Sequence, residues 1–303
     1  MMGKDNKGQR MLAMYDRLLR GELLNKKHLS EEYGVTEKSI QRDMDDLRNY
    51  LSEMQTKGGH AEILYDRKKN GYELVRSSYD YLDKKEILAL SKILLESRAF
   101  EKGELNELLD RLLGACLPED RVIVEDMVRN EAFYYAPLKH GKKLLDPIWM
   151  LSGYIKNKEI IRFSYMRQDG TEREHQSKPV ALLFSEFYFY LIAYEAENDP
   201  GYPLVFRVDR MGEAKGTGEH FTVPYKERFQ DGEFRKRVQF MYPGALRRVK
   251  FTYSGPAVEA VLDRLPTAKI VSEKNGVYTL TAEAYGHGID MWLDSQGEWV
   301  KML

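Results

Sequence analysis

The chain has 303 residues, a length that allows two or three domains. Hydrophobic residues make up 43% of it and charged residues 31%, a balance typical of folded soluble proteins, which excludes a chain that is disordered throughout. Its longest apolar runs, such as Phe187 to Ala193, are too short to cross a bilayer, and residues 1–10 contain no apolar leader segment. The single cysteine, Cys116, excludes an intrachain disulfide and a cysteine-rich zinc site, and the six histidines show no metal-ligand spacing. We therefore expect a cytoplasmic protein that binds no metal and no membrane.

The charge of the whole chain does not indicate a partner, because 47 Lys and Arg residues balance 48 Asp and Glu residues. Residues 1–76 contain 15 basic and 13 acidic residues, whereas residues 77–140 contain 9 and 13. A nucleic-acid-binding protein needs a basic contact face rather than a basic whole. The case for such a face therefore depends on local patterns.

Three helices are predicted near the N-terminus. Apolar residues recur at helical spacing between Met11 and Leu19, and a second helix follows from Lys26 to Tyr33, with Asn25 as its N-cap. Gly34 makes a turn, and Thr36 is placed to cap a third helix. The buried stripe of that third helix is Ile40, Met44, Leu47 and Leu51.

This stripe determines which side chains of the third helix face outwards. Lys38, Ser39 and Arg42 share an exposed face close to its N-terminus, and Gln41 lies at the edge of that face. In a helix-turn-helix, the second helix of the pair enters the major groove of DNA. Arg42 is suited to a bidentate contact with guanine, and Ser39 to a base or a phosphate.

A hairpin is predicted directly after these helices. Two short strand patterns, Glu62–Asp66 and Tyr72–Val75, flank an Asn70-Gly71 pair, which is a strong hairpin signal. The cations Arg67, Lys68 and Lys69 lie at its tip, where a wing would contact phosphates or a minor groove. Two other interpretations stay open: a protein-docking module, and a loop that is merely solvated.

The segment Leu29–Asp43 resembles the helix-turn-helix signature of DeoR-like regulators, most specifically in its Ser39–Asp43 core. Gly71-Tyr72-Glu73-Leu74 resembles their wing strand. The resemblance implies a winged helix-turn-helix over residues 1–77 that binds double-stranded DNA. Its candidate DNA-binding residues are Thr36, Lys38, Ser39, Gln41, Arg42, Arg67, Lys68 and Lys69.

Residues 78–158 are predicted to be a helical linker. Asp83 and Glu86 fit a capping box, and several apolar helical faces follow, with a break at Pro118 and a helix start at Pro147. This region contains no cluster of chemically reactive residues. Its acidic balance argues against direct DNA contact, so we expect a connector that can also dimerise.

From Glu159 the apolar pattern changes to a period of two. Strands are predicted at residues 161–165, 173–175, 180–184, 187–194 and 205–211, over the region 159–240. About five short strands in this span suggest a small barrel.

Two segments of this region, Phe189-Tyr190-Leu191 and Phe206-Arg207-Val208-Asp209-Arg210, resemble the WYL domain, with Phe189 in place of the family's tryptophan. The order of the predicted winged head (residues 1–77), the helical linker (78–158) and the strand-rich sensor region (159–240) also resembles that of WYL regulators. The resemblance implies an Sm-like or SH3-like barrel with a positively charged pocket. It also implies a ligand that is a nucleotide or a short single-stranded nucleic acid.

The residues suit such a ligand on their own chemistry, since arginine matches a phosphate and aromatic rings stack on bases. Arg207 and Arg210 are the main candidates, with Tyr190 beside them, and Lys178, Arg173 and His175 are secondary ones. On a regular strand, Arg207 and Arg210 face opposite sides, so they share a pocket only if the strand ends or twists near Met211-Gly212.

Alternative roles exist for each of these residues. The arginines could form an ion pair with Asp209 or Glu195. Tyr190 and Phe189 could belong to the core, which is the preferred interpretation for Phe189, and His175 could be a solvated strand residue.

Residues 241–303 show the order β-α-β-β-α-β, which is ferredoxin-like and resembles the C-terminal extension of WYL proteins. The whole chain is thus predicted to be an α+β multidomain protein. We expect a regulatory or dimer-contact role for this last part.

The combined hypothesis is a ligand-responsive DNA-binding transcriptional regulator that acts as a homodimer. An alternative is a nucleic-acid-binding accessory protein without promoter specificity. An enzyme is not expected, because the chain has no Walker A loop, no Gly-x-Ser-x-Gly elbow and no nuclease-like carboxylate cluster. No catalytic residue and no cofactor is therefore expected.

Overall fold

The computed structural model describes residues 7–54, 61–76, 82–116, 118–197 and 200–303. Within these residues, helices and antiparallel sheets alternate, so the chain is a mixed α and β protein. It divides into two compact units, residues 1–98 with 102–136 and residues 99–101 with 137–303. This boundary falls inside the predicted helical linker, and the predicted division into four parts stays a prediction.

The first unit begins with three helices and a hairpin: α1 (Lys7–Leu19), α2 (Lys26–Tyr33), α3 (Glu37–Met54), β1 (Ala61–Asp66) and β2 (Gly71–Arg76). Their order is the predicted one. The apolar stripe of α3 lies in the core, where Ile40 and Met44 are fully buried together with Leu29 of α2. Asn25 caps α2, and Gly34 ends it with a φ of 64°, a backbone conformation that glycine adopts without strain.

An ion pair between α1 and α3 lies inside this core. Arg10 Nε is 2.7 Å from Asp43 Oδ2, and the two side chains are only 9% and 2% exposed. Asp43 belongs to the segment that resembles DeoR-like regulators, and the structure gives it an internal role. Since a buried charge without its partner is strongly destabilising, the pair holds α3 against α1.

Three more helices complete the first unit: α4 (Lys84–Ser97), α5 (Lys102–Leu113) and α6 (Pro118–Phe133). The predicted capping box is present, because Asp83 Oδ1 accepts hydrogen bonds from the backbone of Lys85 and Glu86 while Glu86 accepts one from Asp83 N. Pro118 was expected to end a helix, and instead it begins α6. Proline fits there because the first helical residue needs no N–H donor.

The second unit begins with α7 (Leu145–Asn157) and a five-stranded sheet of β3 (Glu159–Met166), β4 (Glu172–Ser185), β5 (Tyr188–Glu195), β6 (Leu204–Arg207) and β7 (Lys215–His220). The strand order is β6-β5-β4-β3-β7, with all neighbours antiparallel. The edge strands β6 and β7 are not paired with each other in the described residues, so the sheet is open. The described strands thus form no closed barrel, and the predicted Sm-like or SH3-like barrel stays a prediction.

The last predicted strand of this region is shorter than expected. It was expected to run to Met211, but β6 ends at Arg207 and the chain continues in a 3₁₀ turn, Val208–Arg210. An isolated bridge then joins Met211 to Tyr165 of β3.

Both faces of the sheet are covered. On one face, Leu151 of α7 is buried in one cluster with Phe163, Leu191 and Phe206. On the other face, α8 (Asp231–Arg237) contributes Phe234 to a cluster whose sheet residues are Ala181, Leu183 and Ile192.

The chain ends in β8 (Leu246–Tyr253), α9 (Val258–Arg264), β9 (Lys269–Lys274), β10 (Val277–Tyr285), α10 (Gly288–Ser295) and β11 (Val300–Met302). The predicted β-α-β-β-α-β order is thus observed. The strand order is β11-β8-β10-β9, and β10 runs antiparallel to both of its neighbours. Asn275 and Gly276 form the β9–β10 turn with φ values of 52° and 77°, as a two-residue hairpin requires. In the described part of the chain, no helix has the length and apolarity needed to cross a membrane.

Candidate nucleic-acid and effector sites

The N-terminus of α3 is held by Thr36 and Ser39. Thr36 Oγ1 accepts a hydrogen bond from Ser39 N at 3.2 Å, and the two hydroxyl oxygens are 3.0 Å apart. The predicted cap is therefore confirmed. Both hydroxyl groups take part in this cap, and their predicted contact with DNA stays a prediction.

Lys38 and Arg42 form the cationic face of α3. They lie one turn apart and are exposed. Within the residues that the structure describes, neither side chain has a hydrogen bond or an ion pair. Both cations are thus available to an external anion or to a base edge, as the sequence predicted.

Gln41 is engaged inside the protein, which corrects its expected role. Its Oε1 accepts a hydrogen bond from the Tyr72 hydroxyl at 2.5 Å, and its Nε2 donates one to Asp45 at 3.1 Å. Gln41 therefore ties α3 to β2 and is not free to contact a base.

The three cations of the hairpin differ in their surroundings. Arg67 and Lys68 are exposed and have no side-chain partner in the described ranges. Lys69 Nζ is 2.9 Å from Glu73 and 3.8 Å from Asp66, so its charge is largely matched. The backbone N–H groups of Lys69 and Lys68 donate to Asp66 and hold the pKa of that carboxyl below its usual value. The hairpin thus offers two available cations rather than three.

The hairpin is fastened to the N-terminus of α2. Asn25 Nδ2 donates to the carbonyl of Asn70 at 2.7 Å, while Leu24 and Tyr72 exchange two backbone hydrogen bonds. The loop spans residues 67–70, and Gly71 is already the first residue of β2. Asn70 alone of the Asn-Gly pair has a positive φ, of 54°. This anchoring gives the loop a fixed place beside the helices.

In the second unit, the predicted effector residues lie on opposite faces of the sheet. Tyr190 pairs with Arg207 across β5 and β6, on the face toward α8. Arg173 and His175 share the opposite face with Phe163. The sheet therefore does not bring the six predicted residues into one site.

Arg207 is the centre of the cluster on the α8 side. Its Nε and Nη2 donate to the two carboxylate oxygens of Asp209 at 3.1 and 2.7 Å, so the ion pair considered from the sequence is present. Its guanidinium carbon lies 3.4 Å from the ring centre of Tyr188. A guanidinium carries five N–H donors, so three remain for a ligand.

Tyr188 and Tyr190 form the aromatic part of this cluster, with ring centres 6.3 Å apart. Burial raises the pKa of Tyr190 to about 12, so its hydroxyl group stays protonated at neutral pH and can donate a hydrogen bond. Sequence reasoning missed Tyr188, although its spacing of two from Tyr190 on one strand was the available signal. Phe189 points the other way, toward Phe184 and Phe100 in the core, as preferred from the sequence.

The 3₁₀ turn after β6 bears on Arg210. Arg207 still has an extended backbone and Arg210 is the last residue of the turn, so the strict alternation of a regular strand does not apply between them. Arg210 is half-buried and has no hydrogen-bond partner among the described residues. The backbone thus meets the condition for two arginines at one site.

The secondary candidates have other surroundings. Lys178 lines a cavity of about 400 Å³ with Tyr194 and Phe221, and none of the Arg207 cluster lines it. His175 Nδ1 is 2.6 Å from Glu195, and its ring stacks on Phe163 with centres 5.6 Å apart. His175 is thus half-buried and engaged with Glu195 rather than a solvated strand residue, and its contact with an effector stays a prediction.

Comparison with known protein families identifies one domain in this part of the chain. Residues 149–215 match the WYL domain, and they extend from α7 to the first residue of β7. The chain therefore contains a WYL domain, and Tyr188, Tyr190, Arg207 and Arg210 all lie within it.

Two solved structures share a remote likeness with the chain. One is proteasome accessory factor B/C (PafBC) of Arthrobacter aurescens, with 16% identity, a TM-score of 0.30, and coverage of 97% of this chain and 43% of that one. The other is a CRISPR Cas-related protein, with 14% identity, a TM-score of 0.25, and coverage of 64% and 56%. The chain thus spans about half the length of each, and the scores are too low to carry an argument. The comparison with curated proteins gives no match.

Proposed function

We propose that the chain is a DNA-binding transcriptional regulator whose WYL domain binds a nucleotide or a short single-stranded nucleic acid and thereby changes DNA binding. The observation that carries this proposal is the set of four exposed cations, Lys38, Arg42, Arg67 and Lys68, which have no side-chain partner in the described chain. Two of them lie on α3 and two on the hairpin loop, within a set of three helices and a hairpin, the elements of a winged helix-turn-helix. In this arrangement α3 enters the major groove, and the hairpin loop contacts phosphates.

The proposed effector site is the cluster of Arg207, Tyr188 and Tyr190, together with Arg210, which follows the end of β6. The three remaining N–H donors of Arg207 suit a phosphate group. The exposed part of Tyr188 suits a base, because aromatic rings stack on bases without sequence preference. Asp209 fixes the orientation of the guanidinium before a ligand arrives.

The proposed regulator is a cytoplasmic homodimer without catalytic activity, since winged heads usually read paired half-sites. Its effector changes DNA affinity through a differential affinity for two states of that dimer. Light scattering is expected to give a dimer, and a monomer both free and on DNA would contradict this part.

The test is selection of bound DNA fragments followed by affinity measurements with Arg42→Ala. This change is expected to weaken binding to the selected site by about 1–3 kcal/mol and to relax base preference at one position. Gln41→Ala is the matched control, because its side chain is held by Tyr72 and Asp45. It is expected to leave base preference unchanged. Equal losses on selected and random DNA with Arg42→Ala would instead favour an accessory protein without promoter specificity.

A further inference from the structure

The C-terminal sheet has one covered face and one open face. Val249, Phe251 and Tyr253 of β8 are buried in a core cluster with residues of α9 and α10. The residues of β8 and β10 that alternate with these buried positions lie on the opposite face of the sheet. The strand register places residues of β9 and β11 beside them on that face. The polar and charged residues of this open face are Arg248, Lys250, Thr252, Lys269, Ser272, Lys274, Thr279, Thr281, Glu283 and Lys301, and the apolar or aromatic residues Leu246, Val277 and Tyr285 share it.

The open face is strongly cationic, although the whole chain has a net charge of −1. Its carboxylate, Glu283, is already bound by Arg248 at 2.9 Å and by Arg237 of α8 at 3.4 Å. Its four lysines are exposed, and none forms an ion pair or a hydrogen bond through its side chain in the described chain. Such a concentration of unmatched charge favours a polyanion as the partner.

The centre of the open face carries hydroxyl groups rather than rings. Thr252, Thr279 and Thr281 occupy the middle positions of β8 and β10. Four-stranded sheets that read RNA bases present aromatic side chains at such positions, on which the bases stack. Here Tyr253 and Tyr278 belong to the cluster on the covered face, and Tyr285 at the end of β10 packs against Phe234 of α8, with ring centres 5.1 Å apart. The middle of the face therefore offers charge and hydrogen bonds but no platform for stacking.

At one end of the open face, α8 and the sheet enclose a cavity of about 360 Å³. Lys236 and Arg237 of α8 line it opposite Arg248 and Lys269 of the sheet. Its carboxylates are Glu233 and Glu283. Hydrogen bonds from Arg237 and Lys236 lower the pKa of Glu233 to about 2, so that carboxylate is ionised and two positive charges remain in excess. The cavity has room for a terminal phosphate group.

We propose that this open face binds the phosphate backbone of a single nucleic-acid strand, without reading its bases. Four strands spaced by about 4.8 Å give a patch about 14 Å across, which suits a few nucleotides of one strand. The proposal uses no residue of α3, of the hairpin or of the Arg207 cluster. It can therefore hold or fail independently of the proposed regulator.

The test measures binding of a labelled thymidine oligonucleotide of about 20 nucleotides to the full chain over a series of salt concentrations. The triple variant Lys250→Ala, Lys269→Ala, Lys301→Ala is compared with a control that removes the same charge elsewhere in the second unit, Lys139→Ala, Lys143→Ala, Arg167→Ala. Both are made in an Arg207→Lys background, so that the effector site does not contribute. We expect the first triple variant to bind about tenfold more weakly, with a salt slope lower by about 2, and the control to change neither.

Two further measurements test the absence of base reading. Thymidine and adenosine oligonucleotides are expected to bind within about fivefold of each other, and polyglutamate of similar charge at least about tenfold more weakly than either. Replacement of the same three lysines by arginine should preserve binding, and thermal unfolding checks that each variant is folded. The proposal is overturned if the lysine-to-alanine triple matches its control, if one base is preferred by much more than fivefold, or if polyglutamate binds equally well.

Discussion

The head and the WYL domain use their cations in opposite ways. In the head, Lys38 and Arg42 project from α3 without an internal partner in the described residues. In the WYL domain, Arg207 forms an ion pair with the buried carboxylate of Asp209 and stacks on the ring of Tyr188. A cation without an internal partner suits a long polyanion, because the affinity for such a ligand comes largely from counterion release. A cation that is already fixed by an ion pair suits a small ligand, for which orientation contributes more than net charge.

The largest expected effect concerns stability and tests the buried ion pair between Arg10 and Asp43 in the head. Asp43→Ala removes the buried carboxylate that binds Arg10 Nε, so we expect a loss of about 3–5 kcal/mol in the free energy of unfolding. Denaturant unfolding measures it. The control is Asp46→Ala, whose exposed pair with Lys7 should contribute at most about 1 kcal/mol. Equal effects of the two changes would show that burial of the Arg10 pair is not important.

The next effect tests whether Arg207 acts through its shape. Arg207→Lys keeps the positive charge beside Asp209 but removes the planar fork and its stacking on Tyr188. We expect effector affinity to fall by about 1.5–3 kcal/mol in calorimetry, with little change in thermal stability. The matched control is Lys178→Ala, since Lys178 lines a different cavity. If Arg207→Lys binds the effector as tightly as wild type does, positive charge alone is sufficient for binding. The contrast drawn between Arg207 and the cations of the head would then be wrong.

The smallest effect distinguishes open from matched cations within the hairpin. Arg67→Ala with Lys68→Ala should weaken DNA binding on every sequence and lower the salt slope by about 2, because two phosphate contacts are lost. Lys69→Ala should change the slope by less than either single change, because Lys69 is already paired with Glu73. Affinity measured over a range of salt concentrations gives both values. A larger effect of Lys69→Ala would mean that the pair with Glu73 opens on DNA.

Local patterns in the sequence were sufficient for the three N-terminal helices and for the caps at Asn25, Thr36 and Asp83. The stripe of Ile40 and Met44, and the cap at Thr36, depend only on spacing and on residues a few positions apart. The two Asn-Gly pairs show the limit of such reasoning. Asn275-Gly276 forms a two-residue turn, whereas Asn70-Gly71 is divided between a loop and a strand. The difference arises because Asn70 is held by Asn25, which is distant in sequence.

The effector site depended on contacts that the sequence does not reveal. Parity along β4 already placed Lys178 opposite Arg173 and His175, and that signal was overlooked. The pairing of Tyr190 with Arg207, in contrast, requires the register between β5 and β6. The early end of β6 also depends on packing, and it decides whether Arg207 and Arg210 lie on one side. Sequence reasoning therefore named Arg207, Arg210 and Tyr190 but missed Tyr188, and it did not separate them from Lys178, Arg173 and His175.

The central claim is that ligand binding at Arg207 changes DNA binding by the head. The most direct measurement is the affinity for a selected DNA site with and without a saturating nucleotide or short single strand, in wild type and in Arg207→Lys. We expect a change of about 5- to 150-fold in wild type and a much smaller change in the variant at the same ligand concentration. An unchanged DNA affinity in wild type, with ligand binding verified by calorimetry, would contradict it.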